Sequence, residues 1–420
     1  MTDQDIRFDT DFARGLFPEP CWNWSFFDNA GGAYVPESVI DRLTGYMREC
    51  QVQPGGPFGP GKDAKERMDL GHASMAALID AAPDEVVIGP STSINVYVLS
   101  KALRPLWADG DRVIVSDQNH EANAGPWHRL AETGIEVVVW PVDPVSGRLS
   151  AADLEPLLNE RTRLVAFPHV SNLAGEVNDV AAITRLVHDA GAQVCVDGVA
   201  FAPHRAIEVK AWDVDYYLFS FYKLFGPHIG CLYGKRDLLL ASRNQYHFFI
   251  GEARTTYKLN PAGPQHEIIA SLTGIADYIT ALCEHHFPAP FNSLHQQAKA
   301  VSGLVEARED ELCERFLAFL ASKSRVRLVG PGADDVSGGG AIRVPTFAFT
   351  VEGMASASIP PLLEAERAVI GHGDFYARRL VDALGLDPAD GVVRASMVHY
   401  TSDADVDRLI AGLDRVIPDS

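Results

Sequence analysis

Lys223 lies where a lysine amine can be kept out of water. It stands within the aromatic and aliphatic segment 218–225, near the end of a predicted strand. Removal from water disfavours the charged amine, which lowers its pKa and makes it nucleophilic enough to form a Schiff base with a carbonyl group. The same segment also suits a lysine that extends its ammonium group from a loop into solvent. Lys223 is therefore a candidate for covalent chemistry.

Asp197 ends the apolar run Val194, Cys195 and Val196. A carboxylate at the end of a buried strand needs a partner, because an unpaired buried charge is costly. The pyridine nitrogen of pyridoxal 5′-phosphate is one such partner, since a carboxylate beside it keeps it protonated and the ring then accepts electrons. A helix cap or an ion pair with an arginine is the alternative. A strand-ending aspartate followed by a strand-ending lysine favours the cofactor.

Three hydroxyl side chains and one imidazole suit the rest of such a cofactor. Ser91 and Thr92 lie between a predicted strand and a predicted helix, where hydroxyls and free N–H groups bind phosphate. Ser220, at the end of another predicted strand, adds a third hydroxyl. His120 follows a strand as well, and its imidazole can stack on a planar ring. Ordinary helix capping and a surface-loop histidine are the alternatives.

Two polar residues in apolar surroundings suit a carboxylate-bearing substrate. Asn172 follows a predicted strand, and its amide can contact a cofactor hydroxyl or a substrate carboxylate. Arg394 lies in a predicted strand near the C-terminus, and its fork-shaped guanidinium can bind a carboxylate through two hydrogen bonds. A turn residue that bonds its own backbone and an edge-strand charge are the respective alternatives.

These residues require a sheet whose strand ends meet at one edge. Short β-branched runs alternate with helical segments in the middle of the chain, which predicts a mainly parallel seven-stranded α/β sheet covered on both faces. Ligands in such sheets lie at the carboxyl ends of the strands. The predicted strands are 85–89, 112–116, 135–142, 164–170, 193–197, 216–220 and 230–234, and the helices between them are 93–106, 124–133, 151–159 and 180–190.

The length and composition indicate a large domain and a small one. The chain has 420 residues and a net charge of −20, which disfavours nucleic acid and anionic membranes as partners. We predict an N-terminal segment over 1–35 that joins the small domain, a large cofactor-binding domain over 36–285 and a small α+β domain over 286–420. The six cysteines are scattered without metal-ligand spacing, and no signal peptide or membrane span is evident, so we expect a cytoplasmic protein with no metal site.

Together these motifs resemble the class V aminotransferase superfamily, in particular its cysteine desulfurase-like branch. The motifs are Asp197-Gly198 followed by Pro203-His204, the series Ser220, Lys223, Gly226-Pro227 and Gly230, and the series His120, Asn123 and Pro126-Trp127. The resemblance extends from Asn29-Ala-Gly-Gly to Val392-Val-Arg394. It implies a fold-type I pyridoxal-phosphate enzyme that forms a homodimer.

The resemblance also implies a role for each candidate residue. Lys223 would carry the cofactor as a Schiff base, Asp197 would face the pyridine nitrogen and His120 would stack on the ring. The phosphate would be bound by Ser91, Thr92, Ser220 and Tyr222, the substrate by Asn29, Asn172, Arg394 and His372, and the loop 262–265 would lie beside the phosphate of the neighbouring subunit.

Departures from the family pattern bear on the reaction. Tyr222 stands where the family usually has histidine, Ala200 replaces a usual glutamine or histidine, and no cysteine follows Cys313. Because desulfurases use a loop cysteine near 371–374 as nucleophile, we expect a carbon–sulfur β-elimination lyase acting on an amino acid without a persulfide cysteine. His372, Asp374 and Tyr376 would tune the outcome. An aminotransferase, an amino-acid epimerase and a non-catalytic binding protein on the same fold remain alternatives.

Overall fold

A seven-stranded sheet forms the centre of the computed structural model, which describes residues 6–261, 263–336 and 342–417. The strands are β1 (Ser25–Phe26), β2 (Val86–Gly89), β3 (Arg112–Ser116), β4 (Glu136–Trp140), β5 (Thr162–Pro168), β6 (Gln193–Asp197), β7 (Tyr216–Ser220), β8 (Gly230–Gly234), β9 (Val326–Val329), β10 (Thr346–Val351), β11 (Ala368–Val369), β12 (Gly371–Gly373) and β13 (Val392–Ser396).

The strand order in the central sheet is β2-β8-β7-β6-β5-β3-β4. Neighbouring strands from β7 to β4 are parallel, and β8 is antiparallel to both β7 and β2. Both faces are covered over β3 and β5 to β8, so residues of these strands are buried on either side, whereas the edge strand β4 is partly exposed. In β6, Val194 and Val196 pack into one apolar cluster with Met75, whereas Cys195 packs on the opposite face with Leu99. This double burial explains the continuous apolar runs, and the predicted mainly parallel seven-stranded sheet is confirmed.

Helices cover the sheets and connect their strands. The α-helices are α1 (Thr10–Arg14), α2 (Glu37–Glu49), α3 (Gly59–Leu78), α4 (Thr92–Leu103), α5 (Gly125–His128), α6 (Ala151–Leu154), α7 (Val180–Asp189), α8 (Arg236–Ala241), α9 (Thr255–Lys258), α10 (His266–Ser271), α11 (Thr273–His286), α12 (Leu294–Ser322), α13 (Ala333–Val336), α14 (Ile359–Leu362), α15 (Arg378–Ala383) and α16 (Asp403–Val416). Short 3₁₀ turns extend several of them, including Glu121–Asn123, Arg129–Thr133 and Glu155–Leu157.

A second sheet of four antiparallel strands, ordered β12-β13-β10-β9, belongs to the C-terminal α+β part of the chain. Phe316 of α12 and Leu409 of α16 pack with Phe347 of β10 in one apolar cluster. Towards the N-terminus, β1 pairs in parallel with β11, so residues Ser25–Phe26 lie against this C-terminal part. The boundaries 1–35, 36–285 and 286–420 stay a prediction.

One predicted helix differs from the observed one for a local reason. The helix predicted over 151–159 ends at Leu154 and continues as a 3₁₀ turn, because Pro156 has no N–H to donate to the preceding turn. After residue 264 the chain forms two consecutive helices, α10 and α11. Among the described residues no helix combines the length and the apolar composition that crossing a bilayer requires.

Candidate active site

The candidate site is a pocket at the carboxyl ends of the parallel strands. Asp197 ends β6, Ser220 ends β7, and the chain turns back after β7 through Lys223. The pocket encloses about 520 Å³ of empty space. Of the residues predicted from the sequence, those that line it are Ser91, Thr92, His120, Asn172, Asp197, Ser220, Tyr222 and Lys223.

Lys223 and Asp197 are buried ionisable residues that line the pocket. Their exposed fractions are 5% and 4%. Burial, followed by the nearby Arg394 charge, lowers the pKa of Lys223 to about 8, although Asp197 opposes this shift. Burial raises the pKa of Asp197 to about 6, and a 2.9 Å hydrogen bond from the Val199 backbone N–H opposes that shift. A substantial fraction of the Lys223 amine is therefore neutral near pH 8.

The hydroxyls predicted to bind phosphate meet at one end of the pocket. Thr92 Oγ1 and Ser220 Oγ lie 2.6 Å apart, and both residues are buried. Ser91 caps α4 by accepting a 3.2 Å hydrogen bond from the Ile94 N–H. Gly230 of β8 allows this close packing, because a Cβ at that position would lie 2.4 Å from the Thr92 backbone nitrogen. Hydroxyls and a helix N-terminus thus face the same space.

His120 stands at the pocket with a defined tautomer. Its Nδ1 accepts a 3.0 Å hydrogen bond from the Ala122 N–H, which leaves the ring proton on Nε2. Burial, together with the Lys223 and Arg394 charges, lowers the pKa of His120 to about 3, so the ring is neutral near pH 7. The ring centroid of Tyr376 lies 5.4 Å away. A neutral imidazole in this position is suited to stacking rather than to proton transfer.

Arg394 approaches the pocket from the C-terminal sheet. Its Nη1 donates a 3.1 Å hydrogen bond to the Asn172 carbonyl, and its Nη2 donates a 2.8 Å hydrogen bond to Asp28 Oδ1. The Asn172 side-chain amide donates to the Phe375 carbonyl at 2.9 Å, and the guanidinium carbon lies 3.7 Å from the centre of the Phe375 ring. The structure therefore brings Asn172 and Arg394 together, and their role in substrate binding stays a prediction.

Asp28 and Phe375 were not among the predicted site residues. Asp28 directly precedes the Asn29-Ala-Gly-Gly segment, so a carboxylate beside a predicted ligand loop was the available signal. Phe375 has a left-handed backbone with φ of 50°. The residue type does not predict this, because bulky side chains rarely adopt a positive φ.

Two other predicted residues, Asn29 and His372, do not line the pocket, whereas a third, Tyr222, does. Asn29 donates to the Phe26 and Ser396 carbonyls and accepts from the Tyr400 hydroxyl, so its amide is paired within the protein. His372 lies on β12, is exposed and is not part of the pocket lining.

Tyr222 lines the pocket, and its ring stacks on His228 at 4.7 Å. The roles of Asn29, His372 and Tyr222 stay predictions. Within the predicted loop 262–265, residue 262 lies outside the described residues.

The pocket residues suit pyridoxal phosphate. A buried amine and a buried carboxylate lie beside a neutral ring, and paired hydroxyls lie at a helix N-terminus. Two further buried atoms, Asn172 Oδ1 and Arg394 Nε, have no hydrogen-bond partner among the described residues. Buried polar atoms are usually paired, so such unpaired atoms indicate space for a polar ligand.

Comparisons with known proteins identify the family. Residues 25–264 match the class-V aminotransferase family. The aminotransferase-like protein FGM3 of Gibberella zeae is 35% identical, over 98% of this chain and 99% of that protein. A cysteine desulfurase of Dickeya dadantii is 33% identical, over 93% of this chain and 92% of that protein.

A solved structure extends the similarity to the whole fold. The cysteine desulfurase CsdA of Escherichia coli superposes with a TM-score of 0.79 at 25% identity, over 97% of this chain and 98% of that one. This likeness confirms the predicted fold-type I architecture. The chain belongs to the class-V aminotransferase family and to its cysteine desulfurase-like members, and it is a pyridoxal-phosphate-dependent enzyme.

Proposed function

We propose that the chain is a carbon–sulfur lyase, which eliminates a sulfur-bearing group from the β-carbon of an α-amino acid without forming a persulfide on the protein. The supporting observation is the make-up of the site: among the described residues no cysteine lines the pocket, and the sequence has none after Cys313. The neighbouring segment instead carries Asp374, Phe375 and Tyr376. Without a protein thiolate to attack the sulfur, the sulfur leaves with its own substituent.

Each pocket residue has a role in this proposal. When bound, pyridoxal phosphate stabilises the negative charge left on the substrate α-carbon when a bond to that carbon breaks. Asp197 would face the ring nitrogen and His120 would stack on the ring. The hydroxyls of Thr92 and Ser220 at the N-terminus of α4 would hold the phosphate, together with Ser91 and Tyr222, which also line the pocket. Lys223 would carry the cofactor and would later take up the substrate proton.

The substrate carboxylate is bound opposite these groups. Arg394 Nε is a buried donor without a partner among the described residues, and the Arg394 guanidinium carries a positive charge. Asn172 lies against Arg394 and supplies a second polar group. A carboxylate held by this arginine fixes the amino acid relative to Lys223, which is what a selective proton removal requires.

Lys223 performs the proton transfer. Its free amine removes the proton from the α-carbon. The electron pair of the broken carbon–hydrogen bond forms the second bond between the α- and β-carbons. The pair of the carbon–sulfur bond leaves with the sulfur as a thiolate, which takes a proton from water. Hydrolysis of the released enamine gives pyruvate and ammonia. The pKa of Lys223, lowered to about 8 by burial, suits an amine that must lose and regain a proton near neutral pH.

Product analysis tests the reaction type. The holoenzyme is incubated with L-cysteine and with an S-alkyl-L-cysteine, and pyruvate, ammonia, thiol and alanine are measured. Equal amounts of pyruvate, ammonia and thiol support the lyase. Alanine with sulfane sulfur would indicate a desulfurase, pyridoxamine phosphate a transaminase, and loss of optical activity an epimerase. A protein that turns over no amino acid would favour a binding function. Homodimeric assembly and a cytoplasmic location also stay predictions.

A further inference from the structure

Arg394 is a buried cation whose charge is balanced by Asp28. The Arg394 side chain is 3% exposed and that of Asp28 is 33% exposed, and the two meet at 2.8 Å. Removing one partner of a buried ion pair is strongly destabilising, because the other charge is left without compensation. A counter-ion for Arg394 is thus needed whenever the substrate is absent.

Asp28 accepts a hydrogen bond from only one of the two N–H groups on one edge of the Arg394 guanidinium. A carboxylate that binds an arginine side-on accepts from two N–H groups at once. Asp28 accepts from Nη2, whereas Nε remains unpaired among the described residues. Nη1 is held by the Asn172 carbonyl and the Phe375 ring covers one face of the guanidinium. The edge that Asp28 occupies in part is therefore the edge available to a substrate carboxylate.

Two glycines make room for the Asp28 carboxylate. A Cβ added to Gly31 would lie 2.9 Å from Asp28 Oδ2, and one added to Gly371 would lie 3.5 Å from Asp28 Oδ1. The carboxylate therefore fits closely against the backbone beside Arg394. Its one-third exposure also means that it can return to water at little cost in desolvation.

We propose that Asp28 occupies the substrate-carboxylate position on Arg394 in the ligand-free enzyme and is displaced by the α-carboxylate of the substrate. Carboxylate replaces carboxylate, so the buried guanidinium is paired both before and after binding. Asp28 is then a specificity-determining residue, because only a ligand with an anionic group strong enough to compete can take its place. This inference rests on the proposed role of Arg394 as the substrate-carboxylate site.

If Asp28 is displaced by the ligand, removing its charge should lower the apparent Kd for a carboxylate. A resident competitor raises the apparent Kd by the inverse of the fraction of time for which the site is free. A carboxylate bound about nine-tenths of the time therefore raises the apparent Kd about tenfold. The Asp28→Asn variant removes that competing charge. We expect its ligand-free melting temperature to fall, since Arg394 loses its counter-ion, and its apparent Kd for a simple carboxylate to decrease about tenfold.

The test uses propionate, which carries a carboxylate but no amine and therefore undergoes no cofactor chemistry. Melting temperatures of the holoenzyme are measured against propionate concentration, because a ligand that binds the folded state raises the melting temperature once its concentration exceeds Kd, and the rise gives Kd. Asp405→Asn serves as the matched control. It breaks a partly buried 2.9 Å pair with Arg14 outside the pocket, so it should lower stability without changing the propionate response.

Two further variants separate the possible results. Arg394→Gln should abolish the propionate response; an unchanged response would overturn the role of Arg394 and the displacement with it. If Arg394→Gln loses the response but Asp28→Asn binds propionate no better than wild type, the displacement alone is contradicted. Gly31→Ala pushes the Asp28 carboxylate aside without removing its charge, so it should also bind propionate more tightly. If Asp28→Asn does not fold, the propionate affinity of Gly31→Ala tests the displacement instead.

Discussion

The hydroxyl groups of Thr92 and Ser220 lie 2.6 Å apart, although the residues are 128 positions apart in the chain. One follows β2 at the start of α4 and the other ends β7, so the sheet itself sets their separation. We expect Thr92→Ala and Ser220→Ala each to weaken pyridoxal-phosphate binding by about 0.5–1.5 kcal/mol, the usual contribution of one hydrogen bond.

Cofactor titration followed by fluorescence measures this loss. Ser100→Ala is the matched control, because Ser100 lies on the same helix, is equally buried and bonds the Tyr97 carbonyl rather than facing the pocket. If Thr92→Ala binds the cofactor as tightly as Ser100→Ala does, the hydroxyl pair is not part of a phosphate site.

Asp197 should act on the reaction more than on cofactor binding. We expect Asp197→Asn to retain the cofactor and to lose about a hundredfold or more in kcat, the scale for removing one preorganised electrostatic partner. Asp215→Asn is the comparison. Asp215 is also buried, but it pairs with His188, Lys235 and the Val194 N–H away from the pocket, so its loss should reduce stability and spare turnover per holoenzyme. Equal kcat in Asp197→Asn and wild type would refute this role.

The reactivity of Lys223 should rise with pH through about 8. Burial and the Arg394 charge lower its pKa to about 8, so the neutral, nucleophilic amine is the minor form below that pH and the major form above it. An ordinary lysine has equal amounts of neutral and charged amine only at about pH 10.4. Labelling of the cofactor-free protein with an amine-reactive reagent, read by peptide mass spectrometry, gives the midpoint, with the exposed Lys101 for comparison.

Arg394→Gln should move that midpoint to higher pH, because it removes a charge that opposes protonation of Lys223. A Lys223 labelling profile that coincides with that of Lys101 would contradict the buried, perturbed amine.

Tyr376 holds a left-handed backbone beside His120. Its φ is 59° and its side chain is 73% exposed, so a glycine there loses little packing and relieves about 1 kcal/mol of backbone strain. We expect Tyr376→Gly to increase the free energy of unfolding by about 1 kcal/mol. We also expect it to lower kcat/KM by about tenfold or more, because it removes the ring that lies beside His120.

Arg367 has a similar φ of 51° but lies outside the pocket. Denaturant unfolding of Arg367→Gly should show the same stabilisation with unchanged activity. Should Tyr376→Gly leave both kcat/KM and the ratio of products as in wild type, Tyr376 has no role in the reaction.

Much of the site could be predicted from local sequence. Asp197 and Lys223 were predictable because each follows an apolar run, and the carboxyl ends of parallel strands meet at one edge. The predicted strand 193–197 coincides with β6 for the same reason, since burial on both faces leaves an uninterrupted apolar pattern. Here the chemistry and the fold follow from the same short segments.

The Asp28–Arg394 pair could not be predicted in this way. Its members are 366 positions apart and meet only because β13 of the second sheet lies beside the N-terminal segment. The left-handed conformations of Phe375 and Tyr376 could not be predicted from the sequence either, because neither residue type favours them. Contacts between distant segments and backbone conformations imposed by packing leave no local pattern.

Borohydride reduction of the holoenzyme, followed by peptide mass spectrometry, tests directly whether Lys223 carries the cofactor. Reduction makes the link between a lysine amine and the cofactor permanent. We expect the added mass on the peptide that contains Lys223 and no such modified peptide from Lys223→Ala. Lys258→Ala, which lacks a different buried lysine, should still yield the modified Lys223 peptide. Cofactor mass on another lysine, or on none in a protein that binds pyridoxal phosphate, would show that Lys223 is not the cofactor lysine.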